Sequence, residues 1–206
     1  MTFDGRLGDY NYQWLKLKRV YVKKSLGILI DENLCWNEQI DNISKKVSKG
    51  IGMLRRAKPY ISQESLGYLY QSLIQPHFDS CSMVWRNCGI TLQEKLPRLQ
   101  SRAARIITGD TYEVRSNEIF KQLKLDTLER RRVKQTLSYV TKALSNLCPE
   151  NISEMFKLSN SDSYNLRSNN NKLMLSKPKT NSMKRTFGYA AARVWNNNTN
   201  DSLVQK

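Results

Sequence analysis

The chain has 206 residues, 39% of them apolar and 9% aromatic, enough to bury one core or two small ones. Lys and Arg number 34 against 18 acids, a formal net charge of +16, and such an excess favours a polyanion partner, nucleic acid before an anionic membrane; a basic surface kept for solubility is the plainer alternative. No apolar run approaches the roughly 20 residues a bilayer crossing needs, no basic-then-apolar leader opens the chain, and four cysteines in that setting read as reduced thiols of an intracellular protein, nuclear or cytoplasmic and not secreted.

Residues 1–14 show no periodicity and read as a loop or a truncated edge. From Leu15 to Ile30 bulky residues mostly alternate (Leu15, Leu17, Val20, Val22, Leu26, Ile28, Ile30), the period of a strand. Lys23-Lys24-Ser25 are expected to turn between two short strands, which gives a basic hairpin. Helical spacing follows. Asn37 is expected to cap a helix whose Ile40, Ile43, Val47, Ile51 and Leu54 recur in steps of three and four and share one face. Lys45, Lys46, Lys49, Arg55 and Arg56 fall off that stripe, and Pro59 ends it.

A second helix is expected from Ser62, carrying Leu66, Leu69, Tyr70, Leu73 and Ile74 up to Pro76. A continuation from Phe78 through Trp85 is apolar on most sides and reads as central. Thr91-Leu92-Gln93-Glu94 has the form of a capping box. It opens a helix with Leu92, Leu96, Leu99, Ala103 and Ile106 inward. A short helix is expected near 116–123 after the turn at Gly109-Asp110. Asp126 and Glu129 form a second capping pattern for a long helix with Val133, Leu137, Val140, Leu144 and Leu147. Its first turns carry Arg130, Arg131, Arg132 and Lys134, and cations at a helix start oppose the macrodipole. A bound phosphate backbone is one benefit that would keep them there. Residues 157–186 are rich in Ser, Asn and Lys and read as a linker. From Lys157 to Lys206 there are nine basic residues and two acids, and Phe187–Trp195 reads as a short docking element.

Three stretches together resemble the C-terminal third of jockey-like, LINE-type non-LTR retrotransposon reverse transcriptases. Lys24-Ser25-Leu26-Gly27-Ile28-Leu29-Ile30-Asp31-Glu32-Asn33-Leu34-Cys35-Trp36 resembles that family's "K-x-LG-(V/I)-x-(I/L)-D-x-x-L-x-W" signature, with Gln39-Ile40 where a His-Ile pair is usual. Gly52-Met53-Leu54-Arg55-Arg56, Leu69-Tyr70-Gln71-Ser72-Leu73-Ile74-Gln75-Pro76 and Val84-Trp85 resemble "G-x-L-x-R … LY-x-SLI-x-P … VW", continuing as Leu99–Ile107. Tyr164-Asn165-Leu166-Arg167, Arg185–Tyr189 and Trp195-Asn196 are similar to the family's ending, whose closing dipeptide is replaced by Asn198-Thr199. Each motif is weak alone; their order and spacing over residues 20–196 are specific.

The resemblance implies a mainly α chain in three parts. Residues 1–36 would be a primer-grip-like β-hairpin remnant of a palm, 37–156 a helical thumb with the helices that follow it, and 157–206 a basic, partly irregular tail ending in a docking helix. Leu26-Gly27-Ile28 would sit at the primer grip. The glycine there admits two readings, close approach of a nucleic-acid backbone or a bulge in strand packing. The implied partner is an RNA–DNA hybrid or duplex, held through Lys23, Lys24, Leu26, Gly27, Lys45, Lys46, Lys49, Arg102, Arg105, Arg130, Arg131 and Arg132. Singly, each reads as part of a solvated face. Trp36 and Trp85 could stack bases, but their apolar neighbours point to core packing.

Catalytic chemistry is not expected. Two-metal polymerisation needs closely spaced carboxylates, and the sequence has no Asp-Asp pair; Asp31-Glu32 falls in the turn after the hairpin. Cys81 and Cys88 are too far apart for a zinc knuckle and His77 is the sole histidine, so neither metal nor cofactor nor small-molecule substrate is expected. Two other readings stay open: a decayed element fragment, and a host-co-opted module whose helices dock on a protein.

Overall fold

The computed structural model describes residues 11–12, 15–16, 19–111, 113–159 and 172–198. The chain is mainly helical, with an N-terminal antiparallel hairpin followed by a helical bundle. Strands β1 (Asn11–Tyr12) and β2 (Leu15–Lys16) pair in one two-stranded ladder, and β3 (Val22–Ser25) and β4 (Ile28–Asp31) in another. Lys23, Lys24 and Ser25, expected as the turn, are strand residues, and the turn falls on Leu26-Gly27. Ser25 pairs with Ile28, so two residues close the hairpin. Both have positive φ, 47° and 87°, the requirement of a primed turn that follows the right-handed strand twist. Gly27 tolerates that geometry; Leu26 does so at a cost.

Helix α1 (Asn37–Ala57) buries the expected stripe of Ile40, Ile43, Val47, Ile51 and Leu54. Its cap is Trp36 in the left-handed region (φ 67°), and Asn37 is already helical. Asp31 holds that junction: Oδ1 accepts the N–H of Cys35 at 2.8 Å and of Asn33 at 3.1 Å, and Oδ2 accepts the N–H of Trp36 at 2.7 Å. Burial pushes the Asp31 carboxyl up, but those backbone donors outweigh it, and its pKa lies below the ordinary value. The N–H of Leu29 donates to buried Gln39 Oε1 at 3.0 Å, which fastens the hairpin to α1.

Helix α2 (Gln63–Leu73) starts as expected: Ser62 Oγ accepts the N–H of Ser65. The stretch expected as one helix through Trp85 is two, α3 (Gln75–Asp79) and α4 (Ser82–Trp85), because Cys81 takes a left-handed φ of 49°. Trp85 is fully buried and its indole N–H donates to Ser80 O at 2.9 Å across that break. Helix α5 (Ile90–Thr108) opens at Gly89, whose carbonyl accepts from Leu92 and Gln93, so Thr91 lies inside the helix and the expected capping box does not form. Helices α1 and α5 run side by side in the same direction. Near their starts Lys95 pairs with Asp41, and at their ends Arg55 and Lys58 meet Arg102 and Arg105.

Helix α6 (Ser116–Gln122) tucks Ile119 and Phe120 against Ala104. Helix α7 (Leu128–Leu144) is capped by Thr127 Oγ1, which accepts from the N–H of Arg130; Asp126, expected in that role, instead pairs with Arg130 and Lys134. Buried Gln100 ties three helices together: its amide N–H donates to Tyr70 Oη and Asp126 O, and its Oε1 accepts from Leu128 N–H. The first core contains Trp36 and Trp85 with the inner faces of α1, α2 and α5.

A second core joins Val140 and Ala143 of α7 to Phe156, Leu173, Ala191, Ala192 and Trp195. The last three lie on α10 (Phe187–Asn198), which follows the short α8 (Glu150–Ser153) and α9 (Asn181–Lys184). Asn196 both donates to and accepts from the Leu173 backbone, and Phe156 meets Phe187 edge-on at 5.9 Å between ring centroids. The expected docking of the tail is therefore onto the second half of α7. Phe156 and Trp195 share this core, so it spans the boundary expected at 156/157. Leu147, expected inward, is 76% exposed beyond the end of α7. The Tyr164–Arg167 motif lies outside the described residues.

Candidate nucleic-acid interface

The hairpin presents a strand exposed at every position, with Leu26 at its tip 96% exposed. An added Cβ on Gly27 would meet nothing within 4 Å, so tight strand packing is not why a glycine stands here; what the fold itself uses is its positive φ in the turn. Lys23 pairs with Ile30 and Lys24 with Leu29. Successive strand residues alternate faces, so the two lysines project to opposite sides of the ribbon. Lys23 shares the side of Ile28 and Ile30, which packs on the first core.

On α1, Lys45, Lys49 and Arg56 are exposed. At about 100° per residue they fall within about 40° of one another, a stripe opposite the buried face. Lys46 stands about 60° further round. It lies toward α3, where burial first and the Lys46 charge second hold the His77 imidazole below its ordinary pKa. Arg102 is exposed on α5. Arg105 is half-buried and donates to Val114 O at 3.3 Å and to Ser116 Oγ at 3.1 Å, which pins the loop before α6.

The three arginines of α7 behave differently from the expectation. Arg130 pairs with Asp126 at 3.5 Å on the surface. Arg131 clamps Asp79 through Nε at 3.2 Å and Nη2 at 2.5 Å, and this hydrogen-bonded carboxylate raises its pKa. Arg132 is 7% exposed, and its guanidinium lies 5.2 Å from the ring centroid of Trp85. Burial lowers its pKa. Arg131 and Arg132 hold α7 against α3 and α4: Arg132 is buried, and the half-buried guanidinium of Arg131 is engaged by Asp79. Their companion Arg86 donates to Thr136 Oγ1 and Arg132 O in the same seam.

Arg55, Arg56 and Lys58, which are not among the residues expected to bind, complete the surface. Arg55 and Lys58, at the end of α1, line a cavity of about 280 Å³ with Arg102, Arg105, Ile106, Gly109 and Asp110. Among the described residues Lys23, Lys24, Lys45, Lys46, Lys49, Arg55, Arg56, Lys58 and Arg102 form no ion pair. Arg19, Arg86, Lys95, Arg98, Arg130, Arg131 and Lys134 each face a carboxylate.

Among the described residues no group of three His, Cys, Asp or Glu side chains could hold a metal ion, and no helix is long and apolar enough to cross a membrane. No family model matches this chain, and comparison with curated proteins and with solved structures finds no match.

Proposed function

We propose that this chain binds nucleic acid by its phosphate backbone, as the template–primer-gripping part of a non-LTR retrotransposon reverse transcriptase without the polymerase carboxylates. The observation that carries the binding reading is the run of unmatched cations on adjoining elements: nine on β3, α1, α5 and the residue after α1 form no ion pair among the described residues, while further unmatched cations lie on α6, α7 and the tail. Unmatched exposed lysines and arginines neutralise phosphates without reading sequence. The element assignment rests on the ordered motifs of the sequence. An exposed strand and a tight primed turn ahead of α1 suit a ribbon lying against a duplex. On this reading the chain is not an enzyme.

The test is titration of an RNA–DNA hybrid, followed by fluorescence anisotropy, at about 50 to about 200 mM salt. With about five phosphates neutralised, log K falls against log salt with a slope of about −4.5, a loss of several hundred-fold across that range. Replacing Lys45, Lys49 and Arg56 together with Gln flattens the slope by about 3. A flat salt response in the parent chain would reject the reading.

A second reading, a helical protein-interaction module, is favoured by one observation. Met155, Met174, Leu175, Phe187 and Tyr189 line an open cavity of about 520 Å³ beside the second core, and methionines adapt readily to a partner surface. Nucleic-acid affinity that ignores salt would favour it.

A further inference from the structure

Arg55 and Lys58 end α1, and Arg105 lies in the last turn of α5, beside Arg102. The parallel run of α1 and α5 brings the four to one cavity of about 280 Å³. Gly109 closes one side of the cavity. It ends α5 at φ +86°, which favours glycine, and a Cβ there would stand 3.0 Å from Lys58 Nζ. The ammonium is the flexible end of its side chain and would need to give by only a few tenths of an ångström, so it is the positive φ that calls for glycine here.

The electrostatics can be weighed directly. Two helix C-termini bring about half a negative charge each to the cavity. Asp110 contributes a carboxylate, and its Oδ2 is buried with no hydrogen-bond donor among the described residues. Against these stand four cations, leaving a net of about +2. Helix-end complementarity alone would be met by one or two cations, so four exceed it.

We propose that this cavity anchors a terminal phosphate monoester of a nucleic-acid strand. This deepens the proposed nucleic-acid binding and rests on it. An internal phosphodiester carries one charge and suits the open stripe of Lys45, Lys49 and Arg56. A monoester carries about −1.5 to −2 at neutral pH and presents three acceptor oxygens, which match a concave site of charge about +2. The volume lies just below the range usual for small-molecule pockets; it suits a phosphate with its attached sugar. The position fits as well: α1 and α5 both stop beside the cavity, which therefore lies at one end of the two basic helices.

The experiment compares hybrids with a 5′-phosphate, a 3′-phosphate or hydroxyls at both ends, bound to the full chain at one fixed salt concentration. One phosphorylated end is expected to bind about tenfold tighter than hydroxyl ends, equivalent to about 1.4 kcal/mol. Which arm shows the gain identifies the end. Arg55→Gln with Lys58→Gln, and separately Arg102→Gln, should erase that preference, so that each variant binds the three hybrids equally; lost backbone contacts lower the three affinities together and leave their ratio, the quantity read, unmoved. All three side chains are exposed, so the fold tolerates the changes, and circular dichroism checks this. Equal affinity for all three ends, or a preference that survives both variants, overturns the anchor and leaves backbone binding standing. Absence of salt-sensitive binding to any hybrid overturns the backbone reading itself.

Discussion

Replacing Asp31 with Asn tests whether one carboxylate holds the junction between hairpin and bundle. In the parent chain Oδ1 accepts two backbone N–H groups, from Cys35 and Asn33, and Oδ2 accepts a third from Trp36. An asparagine keeps one oxygen but turns an N–H₂ group toward the buried Trp36 N–H, so that donor loses its acceptor. A charge-assisted bond of this kind contributes about 1.5–3 kcal/mol, and the two bonds left to a neutral oxygen weaken as well. The expected cost is about 2–4 kcal/mol at neutral pH, a large part of the stability of an ordinary domain. The pH dependence has a definite sign. Although burial raises it, the folded-state pKa of Asp31 is lowered by its three donors. The stabilisation is therefore complete above the unfolded-state value, about 3.9, and is lost as pH falls below that and through the folded-state value. Urea unfolding followed by the fluorescence of buried Trp36 and Trp85 measures the parent–variant difference at each pH. A difference under about 0.5 kcal/mol at pH 7, or one unchanged down to about pH 2.5, would refute this account.

Gly50 faces Ile74, and an added Cβ would lie 2.7 Å from Ile74 Cγ1. Gly50→Ala gains about 1 kcal/mol of helix propensity but overpacks a stiff β-branched side chain, for a net loss of about 1–2 kcal/mol. Gly52→Ala, where nothing lies within 4 Å, should instead raise the melting temperature; opposite signs in thermal melts are the check. Arg131→Gln removes the clamp on Asp79 and should cost about 1–2 kcal/mol of stability in urea unfolding. The salt slope of hybrid binding should stay as it was, and a slope flatter by about 1 would return Arg131 to the phosphate contacts.

What could be read from sequence follows the range of the forces involved. The α1 stripe and the Ser62 cap were legible because both are set by residues three or four apart. The two core tryptophans were legible from their apolar neighbours. The Trp36 cap was not, because its left-handed turn is imposed by Asp31 from five residues back rather than by a Ser or Asn next to the helix. The pattern Thr91-x-x-Glu94 fits a capping box as well as it fits a helix interior, and the Gly89 carbonyl, which accepts from Leu92 and Gln93, starts the helix ahead of it. The turn at Leu26-Gly27 went unread because a leucine is a poor resident for φ 47°; the two-residue register demanded it. The cavity of Arg55, Lys58 and Arg102 depends on α1 and α5 running in one direction, which no local pattern in either helix encodes.

The cluster Arg130-Arg131-Arg132 shows how charge in a sequence can point the wrong way. Three guanidinium groups in the first turns of α7 oppose the helix macrodipole, and that conflict called for a compensating anion. A phosphate backbone was one source, but the fold supplies others. Asp126 faces Arg130, Asp79 takes Arg131 in a two-bond clamp, and the Trp85 ring face takes Arg132. A guanidinium suits these roles because it is planar, is weakly hydrated for a cation and stacks on aromatics. Lysine does none of this as well, and the three lysines of α1 at 45, 46 and 49 are all exposed without ion pairs among the described residues. Within α7 arginine marks structure. In the α1–α5 cavity, Arg55 and Arg102 are exposed and form no ion pair among the described residues, although Asp110 lines the same cavity. The distinction lies in the partner each guanidinium meets, and it is why the binding reading rests on β3, α1 and α5 and no longer on α7.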